Sequence, residues 1–512
     1  MRWVLIRPLN QSLFYDPEIQ EPLGLEYLAA TLRKLGCSVL VLDSALDNLN
    51  DKKLARRAVA FEPDVIGFSI TTDRELDSVF EIYSECRNIL NKNICWLAGG
   101  NYVTTESSNA LEKLPIEYHL VKYEGESVVT NICELWNNGN ISLLPKLIDG
   151  EPAVELDKLN FPERPYHFYL KNYGWAFNLQ GSRGCCSACK YCASRGMRSR
   201  KLSFWRGRTP ENIVEEISWL NKTYSAQAFN FVDEDFLGPP AFSLERAKRF
   251  SAAIIGNNLK ITFGIQVRPN SLSEEVIDTL ASAGLKYVFM GIESDDPDDF
   301  KKWVRKYCEK TWDWVKYLQK NDIEVNAGTL LFHPDSTFEG IRDFATKLYQ
   351  HGLLNFRTAT NRLDAMPGSF FHEQYISQNQ ESGYTGIFRL PFKVQKMEEF
   401  YTAITETLAP IDAPSMHALC SVPIVQVMKY FENSCEKFDI LKSINYDCDE
   451  KVSACFFAIL EMFESNNFSE QIAEELIKSN LAFSKSVAER LIENGFVSNP
   501  EVLHNTIAQF EL

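Results

Sequence analysis

Two long stretches of this chain alternate short apolar runs with helix-period segments, and that alternation restricts the fold more than any other feature. In residues 1–145 the runs Trp3–Ile6, Val39–Leu42, Val65–Ile70, Cys95–Ala98 and Tyr118–Val121 read as strands buried on both faces. Helical patterns fill the intervals. In Leu23–Leu35 the residues Leu25, Leu28, Ala29, Leu32 and Leu35 share one face before Gly36, and Ser78–Leu90 is similar. Strands and helices in this order predict an α/β fold, here a Rossmann-like, doubly wound parallel sheet. Residues 146–175 have no periodicity and include Pro162 and Pro165, which marks a connector. Residues 176–370 alternate again, with candidate strands Ala176–Leu179, Ala228–Val232, Ile261–Ile265, Tyr287–Met290, Glu324–Leu331 and Asn355–Thr360. Helical patterns such as Pro210–Lys222 and Ser273–Ala283 lie between them. Six such units predict a partial TIM-like (β/α)6 barrel, whose chemistry belongs at the carboxyl ends of the strands. Residues 371–512 lose the strand signal and read as mostly helical.

Length and charge bound the function. The 512 residues carry a net charge of −16, against the clustered Lys and Arg that a phosphate backbone demands, so nucleic acid is not an expected partner. No segment is apolar enough to span a bilayer, and the Trp3–Ile6 run is too short for a signal peptide, so a cytoplasmic enzyme is expected. Most of the 13 cysteines are scattered, as Cys95 and Cys455 are, and read as small buried hydrophobes.

The exception is Gly184-Cys185-Cys186-Ser187-Ala188-Cys189-Lys190-Tyr191-Cys192, which contains C-x-x-x-C-x-x-C just past the first barrel strand. In a large chain without a secretion signal, such a cluster points to metal or redox chemistry rather than disulfides. Three thiolates, Cys185, Cys189 and Cys192, suit three irons of a cubane and leave the fourth iron open to a chelating ligand. Structural zinc is the alternative, although zinc sites commonly use a second cysteine pair at a distance and none is present. Cys186 gives a different spacing and is read as a bystander.

This triplet resembles that of the radical S-adenosylmethionine (SAM) superfamily. The resemblance implies a 4Fe–4S cluster that reduces SAM to a 5′-deoxyadenosyl radical, with Tyr191 packing on the adenine. It continues at later strand ends. Phe231-Val232-Asp233-Glu234-Asp235-Phe236 is similar to the acidic motif whose carboxylates help hold the SAM amino group. Gln266-Val267-Arg268 is similar to the motif after the third strand. Gly291-Ile292-Glu293-Ser294 is similar to the next, where the Glu reaches the ribose or the methionine end. Leu363–Ser369 resembles a late Pro-Gly motif. Each has an ordinary reading as well: a helix cap for Asp233–Asp235 or Glu293, and a surface ion pair for Arg268. Where relatives carry Gly-x-Pro-Gly-Glu-Thr, this chain has Phe332-His333-Pro334-Asp335-Ser336-Thr337, which makes His333 a candidate substrate acid or base beside the commoner structural role.

The pairing of an N-terminal α/β domain with this barrel resembles the cobalamin-binding subgroup of the superfamily. The matching pieces are Pro22–Ala30, Pro63–Ser69, Ala98–Thr104, Tyr123–Glu126 and the connector Leu159–Arg164. The resemblance implies cobalamin contacts from Ser69, Thr71, Thr72, Gly99, Gly100, Asn101, Thr104, Glu124 and Gly125, where glycines admit a flat ligand and hydroxyls bond its amides. The Asp-x-His-x-x-Gly motif that ligates cobalt from below is missing; His119 is the domain's one histidine and lies outside such a motif.

At the other end, Phe468–Leu476 and Ser484–Val497 look faintly like a winged helix, with a helical lid over the substrate as the preferred reading. Together the resemblances imply a cobalamin-dependent methyltransferase that acts on an unactivated carbon of a small molecule or peptide, supplied with electrons by a flavodoxin or ferredoxin. The alternatives are a radical SAM cyclisation, ring contraction, epimerisation or methylthiolation, or a non-catalytic metal- or peptide-binding module.

Overall fold

The computed structural model describes residues 1–9, 21–90, 92–115, 117–168, 176–197, 205–379, 386–417, 435–496, 503–504 and 507–510. The chain divides into two compact units: residues 1–172 with 180–225 and 365–388, and residues 173–179 with 226–364 and 389–512.

In the first unit, β1 (Arg2–Arg7), β2 (Ser38–Asp43), β3 (Val65–Ser69), β4 (Cys95–Gly99), β5 (Tyr118–Lys122) and β6 (Leu147–Asp149) form a parallel sheet in the order β2-β1-β3-β4-β5-β6. The expected strands are all present. β6 is an addition, and it carries the sheet into the segment read as connector. Residues 169–175 of that connector lie outside the described residues. Trp3, Val4, Leu5 and Ile6 are buried because β1 lies between β2 and β3 with helices on both faces. The core of one face joins Ile6, Ile66, Phe68 and Trp96 to Leu54 and Ala58 of helix Asp51–Ala60 and to Val79 and Ile82 of helix Leu76–Ile89. Helix Leu23–Lys34 ends as its sequence predicts. Gly36 takes φ +81°, its N–H bonds to the Arg33 carbonyl, and the Cys37 N–H bonds to that of Leu32, a Schellman motif.

The next strand, β7 (Phe177–Leu179), belongs to the second unit, and the chain then returns to the first as an antiparallel pair, β8 (Ser182–Gly184) and β9 (Trp205–Gly207). Helix Pro210–Tyr224 follows, capped by the Thr209 hydroxyl and opened by a proline at its first position. Behind it lies a buried charge cluster. Arg164 donates to Glu21 at 3.0 Å and to Glu216 at 2.9 Å, with Glu26 at 3.6 Å, while Arg208 also pairs with Glu216 at 2.5 Å. Burial and the neighbouring Glu21 push the Glu26 carboxyl well above its ordinary range, against the pull of Arg164.

In the second unit, β7, β10 (Ala228–Phe231), β11 (Thr262–Val267), β12 (Leu285–Glu293) and β13 (Glu324–Thr329) form a parallel sheet in the order β13-β12-β11-β10-β7. Phe229, Phe231 and Phe263 are fully buried, and Phe231 and Phe263 pack edge-on against Phe250 of helix Pro240–Gly256. Asn230, Gln266 and Asn326, on the alternate positions of their strands, are half-buried.

Two expectations fail here. The sixth barrel strand at Asn355–Thr360 is instead a helix, Phe356–Thr360. The Asn355 side chain accepts the Thr358 N–H at 3.0 Å and the Thr358 hydroxyl accepts the Asn355 N–H at 2.9 Å. This reciprocal capping box outweighs the strand preference of the threonines. A single parallel bridge between Phe332 and Arg362, just beyond the helix, marks the sixth position. The winged-helix resemblance fails as well, because Glu470–Glu493 is one continuous helix. Val497, which closed that motif, lies outside the described residues. Helix Cys435–Glu464 packs on helix Phe338–Gln350 through the stacked rings of Phe338 and Phe463, and the Ser453 hydroxyl donates to the Leu354 carbonyl.

Candidate active site

In the second unit, parallel strands bring the SAM candidates to one edge of one sheet. Asp233, Glu234 and Asp235 follow β10; Gln266 and Arg268 end and follow β11; Glu293 and Ser294 end and follow β12. Asp233 and Asp235 are buried and Glu234 is exposed. Arg268 Nε donates to Asp235 at 2.8 Å, and its Nη2 donates to the Gly238 carbonyl at 3.0 Å. Burial raises the Asp235 carboxyl above its ordinary value despite Arg268. The pair is therefore buried and backbone-anchored, not the surface pair of the ordinary reading. The Gln266 carbonyl accepts the Phe236 N–H at 3.0 Å, which ties the end of β11 to the acidic loop.

Glu293 adopts φ +67°, a conformation that costs a non-glycine residue about 1–3 kcal/mol. A register irregularity between Gly291 and Glu293 turns the end of β12 out of the ladder. Arg305, which sequence reasoning missed, stabilises that turn: its Nη1 lies 3.2 Å from Glu293 Oε1 and its Nη2 donates to the Gly291 carbonyl at 2.7 Å. A Cβ on Gly291 would lie 2.6 Å from Glu293 Oε1 and 2.8 Å from Arg305 Nη2, so the pair needs a glycine there. Glu293 is thus a strained, arginine-paired carboxylate and not a simple cap.

Ser294 and His333 belong to one buried network. The Ser294 hydroxyl donates to Asp299 Oδ2 at 2.6 Å, and His333 Nε2 lies 3.3 Å from the same oxygen with its ring edge-on to Trp303. Burial alone would raise the Asp299 carboxyl, but the His333, Ser294 and Lys302 contacts outweigh it and hold the group below its ordinary value. His333 is placed as an anchor of the helix that follows β12, which supports its structural reading.

In the first unit, the cysteines follow β8, within the described residues 185–197. Cys189 is buried; Cys185, Cys186, Tyr191 and Cys192 are half-buried. The Ser187 N–H donates to Cys185 Sγ at 3.4 Å. Among the described residues no three His, Cys, Asp or Glu side chains are gathered tightly enough to hold a metal ion, so the loop presents the donor set without a closed ligand geometry. Three thiols on one short loop suit the cluster by their chemistry.

The carboxyl edge of the first sheet gathers the cobalamin candidates. The strand order departs in opposite directions from β1 and β3, the crevice where α/β sheets of this order take ligands, and Ser69 ends β3 there. Thr71 and Asn101 are exposed, and Ser69, Thr72, Gly99 and Gly100 are half-buried, an open polar rim that suits an amide-edged ligand. Gly100 is indispensable to it: at φ +100°, a Cβ would sit 2.4 Å from the Ile70 carbonyl oxygen. Thr71, Thr104 and Glu124 are among the candidates engaged internally. The Thr71 N–H and hydroxyl both donate to Glu75, the Thr104 hydroxyl accepts the Tyr123 N–H at 3.0 Å, and Glu124 is bound by Arg183 and Arg206. Burial would raise the Glu124 carboxyl, yet the Arg206 bond and the Arg183 charge hold it below its ordinary value. Gly125, which precedes helix Glu126–Asn137, packs on Leu28.

Comparison with known proteins places these features. The radical SAM superfamily model matches residues 179–348. Those residues carry a radical SAM domain. A second model, the B12 binding domain, matches residues 17–132 of this radical SAM protein. An uncharacterised methyltransferase of Pyrococcus horikoshii is 27% identical over 379 residues, covering 70% of this chain and 79% of that protein. An anaerobic magnesium-protoporphyrin IX monomethyl ester cyclase of Synechocystis is 27% identical over 369 residues, covering 67% and 70%. Among solved structures, the cobalamin-dependent SAM radical enzyme OxsB, with aqua-cobalamin and SAM bound, superposes with a TM-score of 0.72 at 14% identity, covering 99% of this chain and 83% of that one. The radical SAM methyltransferase TsrM of Kitasatospora setae gives 0.58 at 16% identity, covering 74% and 75%. Both show a shared fold. This radical SAM enzyme uses a 4Fe–4S cluster, SAM and cobalamin, as its two matched domains require. No helix among its described residues is long and apolar enough to cross a membrane.

Proposed function

We propose that the chain is a cobalamin-dependent radical SAM methyltransferase that places a methyl group on an unactivated carbon of a small molecule or peptide. The observation that carries this reading is the presence of both a B12 binding domain and a radical SAM domain on one chain with a methyltransferase relative over 79% of that relative's length. When bound, the cofactors supply an electron, a 5′-deoxyadenosyl radical and a methyl carrier, a radical route suited to a C–H bond too weakly acidic for a side-chain base. Cys185, Cys189 and Cys192 ligate the cluster. Tyr191, Asp233, Glu234, Asp235, Gln266, Arg268, Glu293 and Ser294 form the SAM-binding set, within which Arg268 and Arg305 hold Asp235 and Glu293 in place. Ser69, Thr72, Gly99, Gly100 and Asn101 face the corrin, with Thr71, Thr104 and Gly125 shaping the loops behind them. Residues 1–145 serve as the cobalamin domain, 146–175 as connector, 176–370 as the radical SAM barrel and 371–512 as a helical substrate-side region. The protein works in the cytoplasm with a flavodoxin or ferredoxin as reductant.

The cyclase relative favours a second reading, radical cyclisation. Anaerobically reconstituted protein, given a reductant and candidate substrates, separates the two. Methyl transfer yields S-adenosylhomocysteine in step with 5′-deoxyadenosine and moves a deuterated methyl group from SAM into the product. Cyclisation yields deoxyadenosine without S-adenosylhomocysteine. Failure to form deoxyadenosine under any condition would overturn both.

A further inference from the structure

We propose that Glu124 is a positioning residue: it latches both ends of the cysteine loop to the carboxyl edge of the first sheet and so fixes the cluster relative to the corrin. This rests on the reading that both cofactors are bound.

The cysteine segment follows β8, β9 pairs antiparallel with β8, and Arg183 on β8 lies directly opposite Arg206 on β9. Like charges opposite one another in a strand pair repel, so the register needs a shared counter-charge. Glu124 supplies it. Arg183 Nη1 donates to its Oε2 at 2.7 Å, and Arg206 Nη2 donates to its Oε1. The Ala153 N–H adds a third bond, to Oε2 at 3.0 Å. Glu126 takes the other arm of Arg183 at 2.6 Å, so two guanidiniums face two carboxylates. Arg183 also donates to Gln180 Oε1 at 2.9 Å and lies over the Tyr27 ring, and Arg206 donates to the Ala153 carbonyl.

Glu124 follows β5 on the edge where Ser69 ends β3 and Gly99 ends β4. Arg206 Nη1 also reaches Oε2, at 3.4 Å, so β8 and β9 are both held by one carboxylate rooted in the cofactor-facing edge. Attachment at two points blocks rotation as well as translation. Glu124, which the sequence motif assigns to the corrin, acts through the arginines.

The test uses the full-length protein, reconstituted anaerobically, with Glu124→Gln and Arg206→Lys compared with the native chain. Both variants are expected to take up iron as the native protein does, because the cysteines are untouched. Pulsed EPR between cob(II)alamin and the reduced cluster should give one narrow distance in the native protein and a broadened one in both variants. The EPR signal of the reduced cluster with SAM, which needs no corrin, should become heterogeneous in the same proteins. Deoxyadenosine formation should fall on the order of tenfold to a hundredfold, the cost of a misplacement of about an ångström. The double variant should lose little more than either single one, as partners in one contact do. Native distances and SAM signals in the variants, with only a lower unfolding midpoint, would make this a structural salt bridge and overturn the proposal. A native chain that binds no corrin would defeat the functional reading instead, and the cluster–SAM signal would still decide for or against the latch. If Glu124→Gln does not fold, Arg206→Lys, which keeps the charge but not the fork, carries both arms.

Discussion

Arg164→Met removes the guanidinium that Glu21, Glu26 and Glu216 share. Its side chain has 0% exposure, so no water replaces the lost partner. The balance of charge sets the size of the effect. Burial and Glu21 raise the Glu26 carboxyl well above its ordinary value, and Arg164 and Arg208 both pair with Glu216. The variant strips Glu21 of its buried arginine and leaves Glu216 with Arg208, a change that costs about 3–5 kcal/mol. In urea titrations followed by tryptophan fluorescence this corresponds to a midpoint lower by about 1–2 M. Glu26→Gln is the matched control and should act with the opposite sign. A carboxyl raised on folding keeps its proton while the unfolded chain ionises, so its contribution to stability falls as pH rises from the ordinary carboxylate range toward the folded value. Glutamine has no such slope, and Glu26→Gln should match the native protein at pH 4 and exceed it at pH 8. An Arg164→Met midpoint equal to the native one, or a Glu26→Gln variant as weak as Arg164→Met at pH 8, would refute this reasoning.

Other consequences are open to test. Replacing Cys185, Cys189 or Cys192 by Ala should abolish deoxyadenosine formation, and Cys186→Ala should preserve it; the opposite pattern would show the ligand assignment to be wrong. Gly291→Ala drives a methyl group into the Glu293–Arg305 pair and should slow SAM cleavage on the order of tenfold or more while the protein stays folded; an unchanged rate would remove Glu293 from the site. Burial pushes the Glu324 carboxyl up to about 7, with Lys442 pulling it down and Asp449 pushing it up. Glu324→Gln should therefore stabilise the protein by on the order of 3 kcal/mol at pH 8 and leave it nearly unchanged at pH 4, as urea midpoints at the two pH values will show.

Features set by local chemistry were legible in the sequence. The apolar runs of β1 to β5, the Gly36 helix stop and the helical patterns at Pro210–Lys222 and Ser273–Ala283 follow from periodicity and short-range hydrogen bonds. Features set by distant partners were not. β6 is a three-residue edge strand whose existence depends on pairing with β5, and its sequence alone does not mark it. The threonines of Asn355–Thr360 suggested a strand, and a capping box decided for a helix. The two segments read as a winged helix fused into Glu470–Glu493 because the residues between them contain no breaker; Asn480, buried in that stretch, donates to the Thr407 carbonyl at 2.7 Å. Strand-end motifs put their carboxylates at the carboxyl edges of the two sheets, but they cannot say which carboxylate meets a ligand and which meets an arginine. Arg305, Arg183 and Arg206 reach Glu293 and Glu124 only through the fold, and the signal available was a conspicuous arginine on each side of the cysteine loop.

The first unit is not a contiguous piece of chain, for it needs residues 180–225 and 365–388 besides 1–172. Domains commonly fold in order as they leave the ribosome. Here a nascent chain that has reached residue 172 holds every strand of its first sheet, but Glu124 has yet to meet Arg183 and Arg206, and the glycine at 368, on which Gly196 closes, has yet to be made. Residues 226–364 of the second unit are translated in between. The carboxyl edge of this sheet is therefore finished late in synthesis, and a clone cut at the apparent end of the first sheet would yield a sheet without its closure.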